Sequence, residues 1–106
     1  MKESKFQKNL IIELKRDFPG CIVLKNDANY IQGIPDLLIL FNNHWAALEC
    51  KKSEDSKHQP NQDYYIKKMN GMSFARFIYP NNKEEVLNEL QSAFRFRRMS
   101  RISVSK

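Results

Sequence analysis

Residues 33–51 read GIPDLLILFNNHWAALECK, and the way this stretch pairs with itself decides the fold. Asp36 to Phe41 and His44 to Lys51 are apolar runs of strand length, separated by Asn42-Asn43, a pair suited to a tight hairpin because Asn tolerates positive φ. With a two-residue turn, Phe41 faces His44, Leu40 meets Trp45, Leu38 meets Ala47 and Asp36 meets Glu49. A four-residue loop on the same centre keeps this register, whereas a three-residue loop shifts it. Opposed residues share a face, with Cβ atoms about 5 Å apart. Period-two alternation adds Lys51 to the face of Asp36 and Glu49. The other face carries Leu37, Ile39, Phe41, Ala46, Leu48 and Cys50. Both faces are apolar through the middle, which predicts an interior hairpin with two acids and a lysine at one end.

Two ionised carboxylates about 5 Å apart repel by roughly 3 kcal/mol at an effective dielectric of 20. Folding alone gains nothing from such a pair. A divalent cation between the acids makes it favourable, and hard oxygen ligands suit Mg²⁺ or Mn²⁺. In the purely structural alternative, Asp36 is a turn residue after Pro35, and Glu49 pairs with Lys51 or Lys52 at a wet strand end. The first helix offers a third acid, since Glu13 follows Leu10 by three residues and borders the apolar stripe. Its structural alternative is an i,i+3 contact with Arg16.

Outward from the hairpin, Lys2 to Asp17 predicts an amphipathic helix, with Phe6, Leu10, Ile11, Leu14 and Phe18 at three- and four-residue intervals, ended by Pro19-Gly20. Cys21 to Lys25 is a short β-branched strand and Asn26 to Pro35 a polar loop. After a charged loop from Lys52 to Gln59, Pro60 opens a helix through Tyr64, Ile66 and Met69, with Asn70-Gly71 as its stop. Phe74 to Tyr79 is a fourth strand. Asn82 is the expected cap of a last helix, with Glu85 as its capping-box partner and Val86, Leu87, Leu90 and Phe94 as its stripe. The order α-β-β-β-α-β-α implies an α/β fold with a mixed four-stranded sheet covered on both faces.

The chain has 106 residues, 42% of them hydrophobic, which suits one domain with a packed core. Its longest apolar run, Leu37 to Phe41, is far short of the ~20 residues of a membrane span. Met1 to Phe6 has no apolar signal-like region. Cys21 and Cys50 lack metal-type spacing and read as buried thiols in a reducing compartment. The net charge of +6 is uneven: Arg95, Arg97, Arg98, Arg101 and Lys106 leave 13 basic against 12 acidic residues in positions 1–94. We therefore divide the chain into a domain over 1–94 and a basic extension over 95–106. The extension is either a solvated tail or a phosphate-binding segment, in which Phe96, Met99 and Ile102 interleave with the arginines. Five phosphate contacts would give a log–log salt slope of roughly −4.5 on duplex DNA.

Gly33-Ile-Pro35-Asp36, twelve intervening residues and Glu49-Cys50-Lys51 resemble the motif of the PD-(D/E)XK nuclease superfamily. The surrounding elements match the αβββαβ restriction-endonuclease-like core over residues 3–79. The GIPD glycine and Gln59-Pro-Asn-Gln62 are most similar to the VRR-NUC branch, which includes small virus and phage enzymes. The resemblance implies that Asp36, Glu49 and the backbone carbonyl of Cys50 bind Mg²⁺ or Mn²⁺. It also implies that Lys51 positions the attacking water, Glu13 completes or orients the metal shell, and Gln62 contacts the substrate backbone or the water. Lys52, Arg95, Arg97, Arg98 and Arg101 are the expected substrate-binding cations. No histidine is required: His44 falls in the turn, and His58 is expected in an exposed loop rather than as a base.

The leading expectation is a metal-dependent endonuclease of DNA, with selectivity for branched DNA such as four-way junctions, acting in the host cytoplasm as a phage or virus protein. Paired cuts need two sites, so the expected partners are DNA and a second copy of the chain in a homodimer, with no membrane. The rival expectations are a non-catalytic nucleic-acid-binding module with a basic tail, and a structural protein that has kept the fold.

Overall fold

A computed structural model describes residues 2–104 of the chain, with side chains described through Arg95. The elements run α1 (Glu3–Asp17), β1 (Ile22–Lys25), β2 (Leu37–Phe41), β3 (His44–Cys50), α2 (Gln62–Met72), β4 (Phe74–Ile78) and α3 (Lys83–Val104). They build an α/β fold around one four-stranded sheet of order β1-β2-β3-β4. The first three strands are antiparallel neighbours, and β4 joins β3 in parallel after the α2 crossover.

The central hairpin has the expected register, with Phe41 opposite His44, Leu40 opposite Trp45 and Leu38 opposite Ala47. Its turn places a positive φ of 56° on Asn42, a conformation Asn adopts at little cost. The face of Leu37, Ile39, Ala46, Leu48 and Cys50 forms the core. It packs against Phe6, Leu10, Leu14 and Phe18 of α1 and its exit, and against Val86, Leu90 and Phe94 of α3. The four-residue spacing within each set stacks the side chains on one helical face, which is why both helices dock as stripes.

The other face differs from the expected interior hairpin. There α2 covers only β3 and β4, so Ile22 and Leu24 of β1 are 56% and 44% exposed and Leu38, Leu40 and Trp45 are half-buried. One helix boundary and one cap also differ. Asn70-Gly71 does not stop α2, which continues to Met72; a helical glycine costs only about 1 kcal/mol, and the Asn70 side chain accepts the Ala75 N–H beyond the helix end. At α3, the Asn82 carbonyl accepts the Val86 N–H as an N-cap residue should, but its side chain turns backwards. Oδ1 accepts the Tyr79 N–H and Nδ2 donates to the Phe77 carbonyl, so Asn82 ties the helix start to β4 instead of forming a capping box. α3 continues through the basic segment as helix to Val104.

Candidate metal centre

The loop before Asp36 is fastened at both ends. Asn26 Nδ2 donates to the Pro35 carbonyl at 2.8 Å, and the Asn26 N–H donates to the Asp36 carbonyl at 2.8 Å. Gly33 has φ +89°, and a Cβ there would lie 2.6 Å from the backbone carbon of Asn61. The glycine therefore lets the loop seat directly on Pro60-Asn61, the entrance to α2. Asn61 itself has φ +71°, which turns the chain so that Gln62 begins the helix.

Beyond the last paired residues of the hairpin, the ladder passes from backbone to side chains. The Asp36 N–H donates to Glu49 Oε1 at 3.1 Å, and the Cys50 N–H donates to Asp36 Oδ2 at 3.0 Å. Glu49 Oε2 accepts from Gln62 Nε2 at 3.0 Å and lies 4.0 Å from Lys51 Nζ. Lys51 Nζ donates to Gln62 Oε1 at 2.6 Å and to the Lys57 carbonyl at 3.1 Å, while the Gln59 N–H also donates to Gln62 Oε1. Gln62 thus joins the acid to the lysine, and its amide orientation is fixed by donors on one side and an acceptor on the other.

Burial governs the electrostatics. Glu49 and Lys51 are 4% and 6% exposed. Burial, and then the neighbouring Asp36, push the Glu49 carboxyl up to about 8, even though Lys51 and the Asp36 N–H favour its ionised form. Asp36 is raised as well, again chiefly by burial, with the Cys50 N–H and Lys51 opposing. One lysine does not neutralise two half-dehydrated carboxylates, so the pair holds a proton where a cation would fit. Cys50 presents its thiol to the opposite, core side, where burial and the two acids push it up to about 12. Only its backbone carbonyl remains as a candidate ligand.

No family model matches the chain, and no curated protein matches it. The assignment of the centre therefore rests on its own chemistry. The donor set is two carboxylates and a carbonyl, all hard oxygens suited to Mg²⁺ or Mn²⁺, and the acids carry an uncompensated electrostatic penalty that a divalent ion would relieve. Among the described residues no three His, Cys, Asp or Glu side chains converge, so the centre is a pair.

Asp36, Glu49, Lys51 and Gln62 are therefore brought together as the sequence implies. Glu13 is not among them. Its Oε2 pairs with Lys83 Nζ at 2.8 Å and its Oε1 lies 3.8 Å from Arg16, the i,i+3 contact that was its structural alternative. Glu3, exposed at the start of α1, adds only the smallest part of the upward push on Glu49 and Cys50. Lys52 is exposed in the loop after β3. Arg95 borders a cleft with Asp17, Phe18, Phe41, Gln91 and Phe94, by the hairpin turn. Phe41 and Asp36 lie at opposite ends of β2, so this cleft is at the far end of the strand from the acids. The side chains of Arg97, Arg98 and Arg101 lie outside the described residues. His58 lies exposed in the loop after β3, as expected, with its ring stacked on Phe77.

Proposed function

We propose that the chain is a metal-dependent nuclease that hydrolyses phosphodiester bonds in DNA at the Asp36–Glu49 pair. The observation that carries this reading is the meeting of the Asp36 and Glu49 carboxyl groups at the end of the hairpin, each accepting a backbone N–H there, with Glu49 buried and a buried lysine 4.0 Å from it. The resemblance of GIPD and ECK to the PD-(D/E)XK motif supports it. Asp36, Glu49 and the Cys50 carbonyl would hold Mg²⁺ or Mn²⁺. When bound, the ion would supply Lewis-acid stabilisation of phosphate charge and a hydroxide at neutral pH.

The protein's own groups account for the rest. Lys51 carries a fixed charge in a nearly dry site, where it attracts phosphate oxygens more strongly as their negative charge grows. Gln62 and the Lys57 carbonyl hold the ammonium in place, so little is reorganised during reaction. The basic residues from Arg95 onward extend along α3 and support a role in holding DNA away from the cut. Four-way junctions as substrate, action as a homodimer, and a phage or viral setting in the host cytoplasm belong to the same proposal. No helix among the described residues is long and apolar enough to cross a membrane.

The test is incubation with linear, supercoiled, flap and four-way-junction DNA in Mg²⁺ and in EDTA, with products mapped on both strands. Magnesium-dependent cutting that Lys51→Ala severely impairs is expected. Salt-sensitive binding without cutting would replace this proposal with the binding-module reading that the charge block favours.

A further inference from the structure

The loop from Lys57 to Gln59 threads the centre without using its middle side chain. Lys57 gives its carbonyl to Lys51 Nζ, and Gln59 gives its N–H to Gln62 Oε1. His58, between them, lays its ring on Phe77 with centroids 4.1 Å apart and planes 17° from parallel. Phe77 is the register partner of Glu49 across β3 and β4, and the two share a face. The imidazole is thus one strand spacing, about 4.8 Å, and one ring stack away from the column of Glu49. Nδ1 lies 2.8 Å from Asp63 Oδ1, on the residue that follows Gln62. Nε2 has no hydrogen-bond partner among the described residues. An imidazole fixed through Nδ1 by a carboxylate, with Nε2 open in a loop whose flanking residues bond to Lys51 and Gln62, is arranged to deliver a proton.

We propose that His58, oriented by Asp63, is the proton donor to the departing oxygen of the phosphodiester, an inference that rests on the nuclease reading of the same site. In the step, the water oxygen forms a bond to phosphorus and the bond from phosphorus to the leaving oxygen breaks. That oxygen takes the Nε2 proton of the imidazolium, whose Nδ1–H stays on Asp63, and the neutral imidazole left behind regains a proton from solvent, which receives the proton lost by the attacking water. Asp63 is a positioning residue, keeping the proton-bearing Nε2 turned outward. Lys51 is held by the Gln62 oxygen and the Lys57 carbonyl, which leaves the proton transfer to the histidine.

The experiment compares the full chain with His58→Gln and Asp63→Asn on one DNA in two forms, normal and with sulfur replacing the leaving bridging oxygen, in Mn²⁺. A thiolate leaves without protonation, since a thiol is acidic near pH 8.5. His58→Gln is expected to slow cleavage of the oxygen substrate by about 10²–10⁴-fold, the usual worth of a general acid, and to cleave the sulfur substrate near the wild-type rate. Asp63→Asn is expected to follow the same pattern more weakly. Equal loss on both substrates would make His58 a packing or phosphate-binding residue and overturn the proposal, as would full activity of His58→Gln on the oxygen substrate. Failure of the unaltered chain to cut either DNA would overturn the nuclease reading and the histidine assignment together.

Discussion

Glu49 accepts hydrogen bonds from an amide N–H and a side-chain amide, lies near an ammonium group, and still binds a proton at neutral pH. Dehydration and Asp36 together outweigh those three favourable partners. The consequence for stability has a definite sign. The folded value near 8 exceeds the ordinary 4.5, so between those pH values the folded chain keeps a proton that the unfolded chain has lost. The contribution of Glu49 to stability without metal should therefore be full below about pH 4.5 and be lost as pH rises through 8. Thermal melts in EDTA across this range should show the decline, and Glu49→Gln should flatten it. Adding Mg²⁺ at pH 8 should raise the melting temperature of the unaltered chain and leave Glu49→Gln nearly unmoved. For catalysis, Asp36→Asn or Glu49→Gln should reduce cleavage by at least about 10²–10³-fold while DNA binding stays equal or tightens, because an anion facing phosphate is gone. Filter binding beside single-turnover cleavage separates the two effects.

Elements differ in how plainly the sequence announced them. Side-chain alternation and the Asn pair sufficed for the hairpin, so the meeting of Asp36 with Glu49 was legible before any coordinates. Helical periodicity specifies rotation about an axis but not which end lies over a distant strand. Glu13 pairs with Lys83 and Arg16 instead of the acids. The packing of α1 beside the start of α3, invisible in its own sequence, decided this. The stacking of His58 was illegible for a related reason, since its partner Phe77 depends on the parallel register of β4. The glycine of GIPD was recognised by resemblance, and its physical cause is the seat it makes for the start of α2. Gly33→Ala would push a methyl group into the Asn61 backbone at a position of positive φ. It should destabilise the fold by about 1–3 kcal/mol and shift Gln62 away from Lys51 and Glu49. Calorimetry and cleavage rate should both register the change, with Mg²⁺-dependent activity falling further than stability alone explains.

Across the whole molecule, the candidate chemistry and the excess positive charge occupy different places. The acids stand where β3 ends, whereas Arg95 stands by the hairpin turn and the charge block follows it along α3. A duplex engaged by both would be gripped several base pairs from its cut. Replacing Arg97, Arg98 and Arg101 with Gln should reduce the salt slope of binding by roughly 2.7 in magnitude if each meets one phosphate. The cleavage rate at saturating DNA should be unchanged, and titrations at several salt concentrations beside single-turnover kinetics test both halves of this expectation.

The amide bonds from Asp36 to the Glu49 carboxylate and from Cys50 to the Asp36 carboxylate make chain length in the hairpin more exacting than chain composition. One residue inserted between Leu37 and Leu48 would send the downstream acid to the core side, where Cys50 now lies, and expose apolar neighbours in its place. Many conservative replacements there would leave the two oxygen donors facing each other, but a single-codon insertion or deletion would not. Functional variants of this chain should therefore vary freely in length between Lys52 and Ser56, while keeping twelve residues between the two acids.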